Sequence, residues 1–201
     1  MPDTFPIVPY QYPTRVSDGG RIVLVGEAPG AEEERFGRPF VGRSGRLLDE
    51  SLAAIGIDRG TCLVANVFRA RPPDNKVGHF FASRARAARE GRAIDERWGP
   101  LGGSDRLLAE FSGDLDHLFA ALAAFAPAVI VALGRTPMWA LTGLNGIMER
   151  RGTPVSARVP LAAVPVVPTW HPSYILRGNF SRIPPWRNDL AVARDIAARI
   201  I

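Results

Sequence analysis

The chain has 201 residues, 46% of them hydrophobic, with a formal charge of +5 and a pI near 10.3. That length predicts one domain with a sizeable core; no apolar run reaches the roughly 20 residues that span a bilayer, and the proline-rich start "MPDTFPIVPYQYPTR" lacks the basic-then-apolar order of a secretory leader, so a soluble cytoplasmic protein without a membrane partner is expected. The lone cysteine, Cys62, excludes an internal disulfide and a four-thiolate iron–sulfur site, which leaves it the role of a small buried apolar residue.

Residues 1–20 read as an irregular arm that ends in the turn signal Asp18-Gly19-Gly20. "RIVLVGE" is a short aliphatic run closed by glycine, the pattern of a buried strand. The glycine-rich loop "GEAPGAEEERFGRPFVGRSG" comes next. Within "SGRLLDESLAAIG", Leu47, Leu48, Leu52 and Ile55 recur at helical spacing, with Ser44 as the expected N-cap and Gly56 as the stop. "TCLVANVF" reads as a second strand, halted by Arg71-Pro72-Pro73. Residues 74–113 have no clean period. Over residues 76–92, Lys76, Arg84, Arg86, Arg89 and Arg92 stand against the single acid Glu90, which predicts a short basic helix and then a loop.

"DLDHLFAALAAFA" is an amphipathic helix with Leu115, Leu118, Phe119, Leu122 and Phe125 on one face. "AVIVALG" is a third buried strand, and "TPMWALTG" a short helix for Pro137 to start. "VPVVPTW" is a fourth strand whose prolines suggest an edge position or a twisted end. "PPWRNDLAVARDIAARII" closes the chain as a helix. Strands that alternate with helices, and that are aliphatic throughout, predict an α/β fold with a parallel sheet covered on both faces. Ligands bind beyond the carboxyl ends of such strands. Three unusual segments fall there: the loop after strand one, Asn66 after strand two, and "WHPSY" after strand four.

The basic charge suits a polyanion. Lys76 is the only lysine, and arginine favours bidentate phosphate contacts, although a GC-rich genome would give the same bias. The loop has neither G-x-G-x-x-G nor a Gly-Lys-Ser/Thr phosphate cradle. It presents Glu27, either a carboxylate bonded to loop amides or one that orients a water. Asn66 either satisfies its amide on backbone or offers a base edge its adjacent donor and acceptor. Phe40 is either core or a stacking plate. His171 is either a packed residue or a donor, and Ser173 offers a hydroxyl to a phosphate. Together these supply what holding a flipped nucleobase requires: a plate, a reader, an acid and a histidine on one rim.

These motifs resemble the uracil-DNA glycosylase superfamily, and most closely its family four. "GEAPGAEEERFGRPFVGRSG" is similar to the first motif, "ANVFRARPP" to the second and "TWHPSYILR" to the last, while "PAVIVALG" matches a family strand. The likeness covers roughly residues 21–73 and 125–195. It implies a single domain over 1–201, a three-layer α/β/α sandwich around a four-stranded parallel sheet. It also implies hydrolysis of the N-glycosidic bond of deoxyuridine in single- or double-stranded DNA, and because the sole lysine, Lys76, lies outside the motifs, a monofunctional glycosylase without a Schiff-base step is expected. The products are free uracil and an abasic site, and the enzyme is expected to act as a monomer at the bacterial nucleoid. By motif position, Glu27 is implied to orient the water and His171 to stabilise the leaving uracil through O2. Phe40, Asn66 and Ala28 are implied to bind the base. Ser44, Gly45, Ser173, Tyr174, Leu176 and Arg177 are implied to contact DNA, the last three as candidate wedges.

Family four normally holds an iron–sulfur cluster through four cysteines. Ala70 stands where one would be and no other ligands exist, so no cofactor is expected. The insert 74–113 is expected to replace the cluster's structural role and to add DNA contacts through Arg84, Arg86 and Arg89. His79 lies where one relative traps uracil covalently, but without the surrounding basic motif, so trapping is not expected. A glycosylase for hypoxanthine and an inactive DNA-binding homologue are the alternatives.

Overall fold

All five residues of β1 (Ile22–Gly26) are buried. Val23 and Val25 join one core cluster, Ile22 and Leu24 another. A strand apolar on both faces needs cover on both, which is why its aliphatic run is continuous. The computed structural model describes residues 6–16 and 20–199; Asp18 and Gly19 of the expected turn lie outside them. After β1 come α1 (Ala31–Phe36), α2 (Arg43–Ala54), β2 (Leu63–Asn66), β3 (Phe81–Ala82), α3 (Arg84–Arg89), β4 (Pro100–Gly102) and β5 (Asp105–Leu107). They are followed by α4 (Ser112–Phe125), β6 (Val129–Leu133), α5 (Arg135–Thr142), α6 (Ile147–Arg150), β7 (Val155–Ser156), β8 (Pro165–Thr169), α7 (Pro172–Leu176) and α8 (Ile183–Ala197).

The main sheet has the order β2-β1-β6-β8-β7. Its first four strands are parallel, as predicted. The two-residue β7 adds an antiparallel edge opposite Pro165 and Val166, so β8 is not an edge strand along its whole length. On one face, α2, α7 and α8 bring Leu48, Leu52, Ile175, Trp186 and Leu190 onto Leu24, Val64, Val131 and Val167. On the other, α4 and α5 bring Leu115, Leu118, Leu122 and Trp139 onto Val23, Val25 and Ile130. The result is the three-layer α/β/α arrangement.

Three local expectations are corrected. The arm pairs antiparallel with the second strand region, Ile7 opposite Ala70 and Gln11 opposite Val64, and so covers the free edge of β2. Helix α2 starts at Arg43 with Gly42 as its cap, which places Ser44 inside the first turn. Helix α5 starts at Arg135, two residues ahead of Pro137, a first-turn position that tolerates proline.

The insert departs further. Helix α3 forms, capped by Ser83, whose hydroxyl accepts from Arg86 N–H. The segment beyond it is no loop: β4 and β5 form a hairpin that pairs with β3 into a three-stranded antiparallel sheet. Strands of two or three residues are too short to show an alternating pattern. Phe80, Phe81, Trp98, Leu101 and Leu107 of the insert are buried in the same cluster as α4 and α5. Phe80 stacks on Phe68 with centroids 3.8 Å apart. Each such side chain stabilises by about 1.5–3 kcal/mol, so the insert is part of the core.

Candidate active site

A cleft of about 650 Å³ opens beyond the carboxyl ends of β1, β2, β6 and β8. It lies within the usual size range of small-molecule sites. Glu27, Ala28, Phe40, Ser44, Asn66, His171, Ser173, Tyr174 and Arg177 all line it. The three unusual segments at the strand ends therefore meet at one place.

The floor is built on Gly26. A Cβ there would collide with both the Phe40 ring and the Asn66 Oδ1 atom, so glycine lets plate and amide converge at the end of β1. Phe40 sits at φ 53°, a left-handed conformation unusual for a bulky residue. Arg59 clamps that turn: its guanidinium donates to the carbonyls of Phe40 (2.9 Å) and Pro39 (2.7 Å) and to Asp49 Oδ1 (2.7 Å). Gly45 packs so closely on the Phe40 carbonyl that a Cβ would overlap it. Gly45 thus supports the plate from beneath and does not line the cleft.

Asn66 is 5% exposed, and its side-chain amide makes no hydrogen bond to any described residue. Satisfaction on backbone, one of the two sequence readings, is not realised. The residue lines the cleft, so the amide is left for a ligand that supplies the complementary edge.

His171 precedes α7 and caps it. Its Nδ1 accepts the Ser173 N–H at 3.1 Å, with the Ser173 hydroxyl 2.8 Å away. The ring proton therefore sits on Nε2. Burial, reinforced by the Arg177 charge, pushes the imidazole pKa down to about 4, so the ring is a neutral donor at physiological pH. Its centroid lies 5.8 Å from that of Phe40.

Glu27 follows β1 directly. The Thr136 hydroxyl donates to its Oε2 at 2.5 Å. Burial raises the Glu27 pKa above the ordinary carboxylate value, while Thr136, Arg135 and Arg177 pull it back. Thr136 itself is fully buried in the first turn of α5.

Sequence reading missed Thr136, Arg59, Arg135 and Glu33. Glu33 organises the opening loop: its carboxylate accepts from the amides of Gly30 (3.1 Å), Val41 (3.1 Å) and Gly42 (3.2 Å). The Gly30-x-x-Glu33 spacing, which lets an N3 glutamate reach back to the N-cap amide, was the available signal. Trp170 also lines the cleft, with Arg151 4.0 Å and Arg182 4.9 Å from its ring centroid.

Other predicted contacts lie elsewhere. Leu176 is half-buried against the α2 and α8 cluster and is not on the cleft wall. Arg84, Arg86 and Arg89 do not line the cleft. Arg84 pairs with Glu96 at 2.9 Å, and Arg86 donates to the Phe81 carbonyl. His79 packs against Phe111 with centroids 5.3 Å apart, away from the lining residues.

The residues do not fit an iron–sulfur cluster. Cys62, the one thiol, is buried at the start of the second strand region, and burial pushes its pKa up to about 11. Among the described residues no three His, Cys, Asp or Glu side chains converge as metal ligands. Ala70 instead faces Ile7 of the arm. No helix among them is long and apolar enough to cross a membrane.

A family model for the uracil DNA glycosylase superfamily matches residues 13–192. A type-4 uracil-DNA glycosylase from Thermotoga maritima is 35% identical over 165 residues, covering 81% of this chain and 70% of the relative. One from Pyrobaculum aerophilum is 31% identical over 161 residues, covering 78% and 68%. One from Archaeoglobus fulgidus is 48% identical over a shorter stretch of 60 residues, 30% of each chain.

Proposed function

The chain belongs to the uracil-DNA glycosylase superfamily, and from that premise we propose that it hydrolyses the N-glycosidic bond of deoxyuridine flipped out of DNA, releasing uracil and leaving an abasic site. The observation that carries this reading is the convergence of the Phe40 ring and the unpartnered Asn66 amide over the Cβ-less Gly26. That floor offers a flat base a stacking surface and one donor–acceptor edge.

The chemistry is governed by charge. As the bond breaks, the base gains negative charge and the sugar becomes cation-like. A neutral His171 with its proton on Nε2 donates to the developing uracil anion, an interaction that strengthens along the reaction. Losing one such donor costs about 2.7–4 kcal/mol of barrier in other enzymes. The Glu27 carboxylate, held by Thr136, orients the attacking water and stabilises the sugar cation. Water's oxygen bonds to the sugar carbon, its proton passes to solvent, and the departing base takes up a proton after release. No lysine lies in the cleft to form a Schiff base, which supports a monofunctional glycosylase. The enzyme works as one domain and a monomer in the cytoplasm, without an iron–sulfur cluster.

The test uses single- and double-stranded oligonucleotides carrying uracil, hypoxanthine, or thymine opposite guanine, each treated with alkali after incubation. Strand scission at uracil is expected. Scission at hypoxanthine alone would replace this function with its nearest alternative, and no abasic product would overturn both. Asn66→Ala and His171→Ala are expected to abolish most cleavage; wild-type rates in either would refute the residue's role.

A further inference from the structure

A cleft that admits a DNA strand must accept negative charge, yet this one is lined by two carboxylates, Glu27 and Glu33. Among its lining residues only Arg135 and Arg177 carry a permanent positive charge. Arg177 caps the C-terminus of α7, where the sequence predicts a DNA contact. Arg135 belongs to none of the sequence motifs.

Arg135 is exposed, although the six residues after it in α5 are all buried. No carboxylate among the described residues lies within ion-pair distance of it. Most of the insert's arginines differ: Arg84 and Arg106 pair with Glu96, Arg86 with Glu90, Arg92 with Glu110, and Arg97 with Asp95 and Asp116, while exposed Arg89 has no ion pair among the described residues and does not line the cleft. The charge of those paired arginines is matched by a carboxylate of the same insert or of α4. Arg135 stands between the catalytic carboxylate and the insert. Its neighbour Thr136 is bonded to Glu27. Its Nη1 lies beside Gly102 of β4, 3.6 Å from where a Cβ would stand.

Resting on the glycosylase reading, we propose that Arg135 is a phosphate-binding residue, backed by the insert's β4–β5 hairpin, that grips a backbone phosphodiester next to the flipped nucleotide. A guanidinium suits this task because its planar fork matches two phosphate oxygens. It also offsets the repulsion that Glu27 imposes on the same strand. The insert then serves DNA binding through its hairpin and the residue it supports.

The test measures binding to a single-stranded oligonucleotide with a tetrahydrofuran abasic analogue in place of deoxyuridine, by anisotropy across a KCl series. Each phosphate contact contributes about 0.7 to the slope of log K against log salt for single strands. Arg135→Ala is expected to lower the slope by about that amount and to raise KM for a uracil oligonucleotide more than it changes kcat. A second variant leaves Arg135 intact: Gly102→Glu sets a carboxylate beside its Nη1 and is expected to lower the slope likewise, with Gly102→Ala as a silent control. A third readout is the acid limb of kcat. Glu27 is faced by Arg135 and Thr136 from α5 and by Arg177 after α7, so removing one cation moves the limb to higher pH, and Arg135→Lys restores it. Uracil release by the wild type tests the glycosylase reading by itself. If the wild type releases uracil while Arg135→Ala keeps the wild-type slope and KM, the proposal fails and that reading stands.

Discussion

Thr136→Val isolates the link between a buried hydroxyl and the catalytic carboxylate. The Thr136 Oγ1 lies 2.5 Å from Glu27 Oε2, and the threonine is fully buried, so water does not replace it as donor. Valine keeps the shape and removes the proton. A hydrogen bond to a charged group is worth about 1.5–3 kcal/mol, and this one serves the ionised form of Glu27 only. Its loss favours the protonated acid, and the Glu27 pKa rises further above the ordinary value. The reaction uses the carboxylate, so activity is lost first on the acid side. At pH values below the limb, the expected drop is about 10- to 150-fold, from those energies at 1.36 kcal/mol per tenfold. Above the limb it is much smaller.

The assay is single-turnover cleavage of a uracil oligonucleotide as a function of pH, for wild type, Thr136→Val and Thr136→Ser. Serine keeps the hydroxyl and should track the wild type. A valine profile that superposes on the wild type would refute this reasoning, as would one displaced to lower pH. A uniform loss at every pH would show that Thr136 shapes the cleft without tuning Glu27.

Three further substitutions address other parts of the site. His171→Gln is expected to slow cleavage by about 10²–10³-fold; it should also flatten the acid side of the stability curve. An unfolded histidine titrates near 6.5 and the folded one near 4, so the wild type loses stability as pH falls between those values, by about 3 kcal/mol at most. Thermal melts from pH 7 to pH 4 read this directly, and parallel curves would contradict it. Arg59→Met removes the clamp on the Phe40 turn and should raise KM and weaken inhibition by free uracil more than it lowers kcat; a pure loss of kcat would deny Arg59 a part in placing the plate. Cys62→Ala should leave cleavage intact and the purified protein without iron–sulfur visible absorbance, while iodoacetamide at pH 8 should leave wild-type Cys62 unmodified unless the protein is unfolded.

The parallel sheet was legible because its strands are aliphatic on both faces, a pattern turns and surface helices do not produce. The residues at the strand ends were legible for a related reason. Glu27, Asn66 and His171 are polar groups placed directly where a buried run stops, which is unusual enough to single them out. Their supports were not legible. Thr136 lies 109 positions from Glu27 and looks like an ordinary first-turn threonine. Arg59 is one arginine among many, and only the fold brings it under the Phe40 carbonyl. The arginines of the insert could not be sorted from the sequence. Their density suggested a nucleic-acid surface, whereas Glu96 and Glu110 pair with Arg84 and Arg92, and Arg89 stays exposed without an ion pair among the described residues. Charge counted along a sequence does not say which cations remain unpaired after folding.

One residue ties the protonation states of the site together. The Arg177 charge lowers the pKa of both Glu27 and His171. For an acid that favours the charged form, and for a base the neutral one, so a single cation drives both groups toward the states the reaction needs. Burial acts with it on His171 and against it on Glu27. This explains why the imidazole falls to about 4 while the carboxylate stays above its ordinary value. Arg177→Ala should therefore raise both pKa values. The acid limb of cleavage moves up with Glu27, and the histidine begins to protonate at a higher pH than in the wild type. NMR titration of the His171 ring, run beside the pH–rate profile, separates the two. If the ring pKa fails to rise while the limb moves, Arg177 acts on Glu27 alone, and the neutrality of His171 rests on burial.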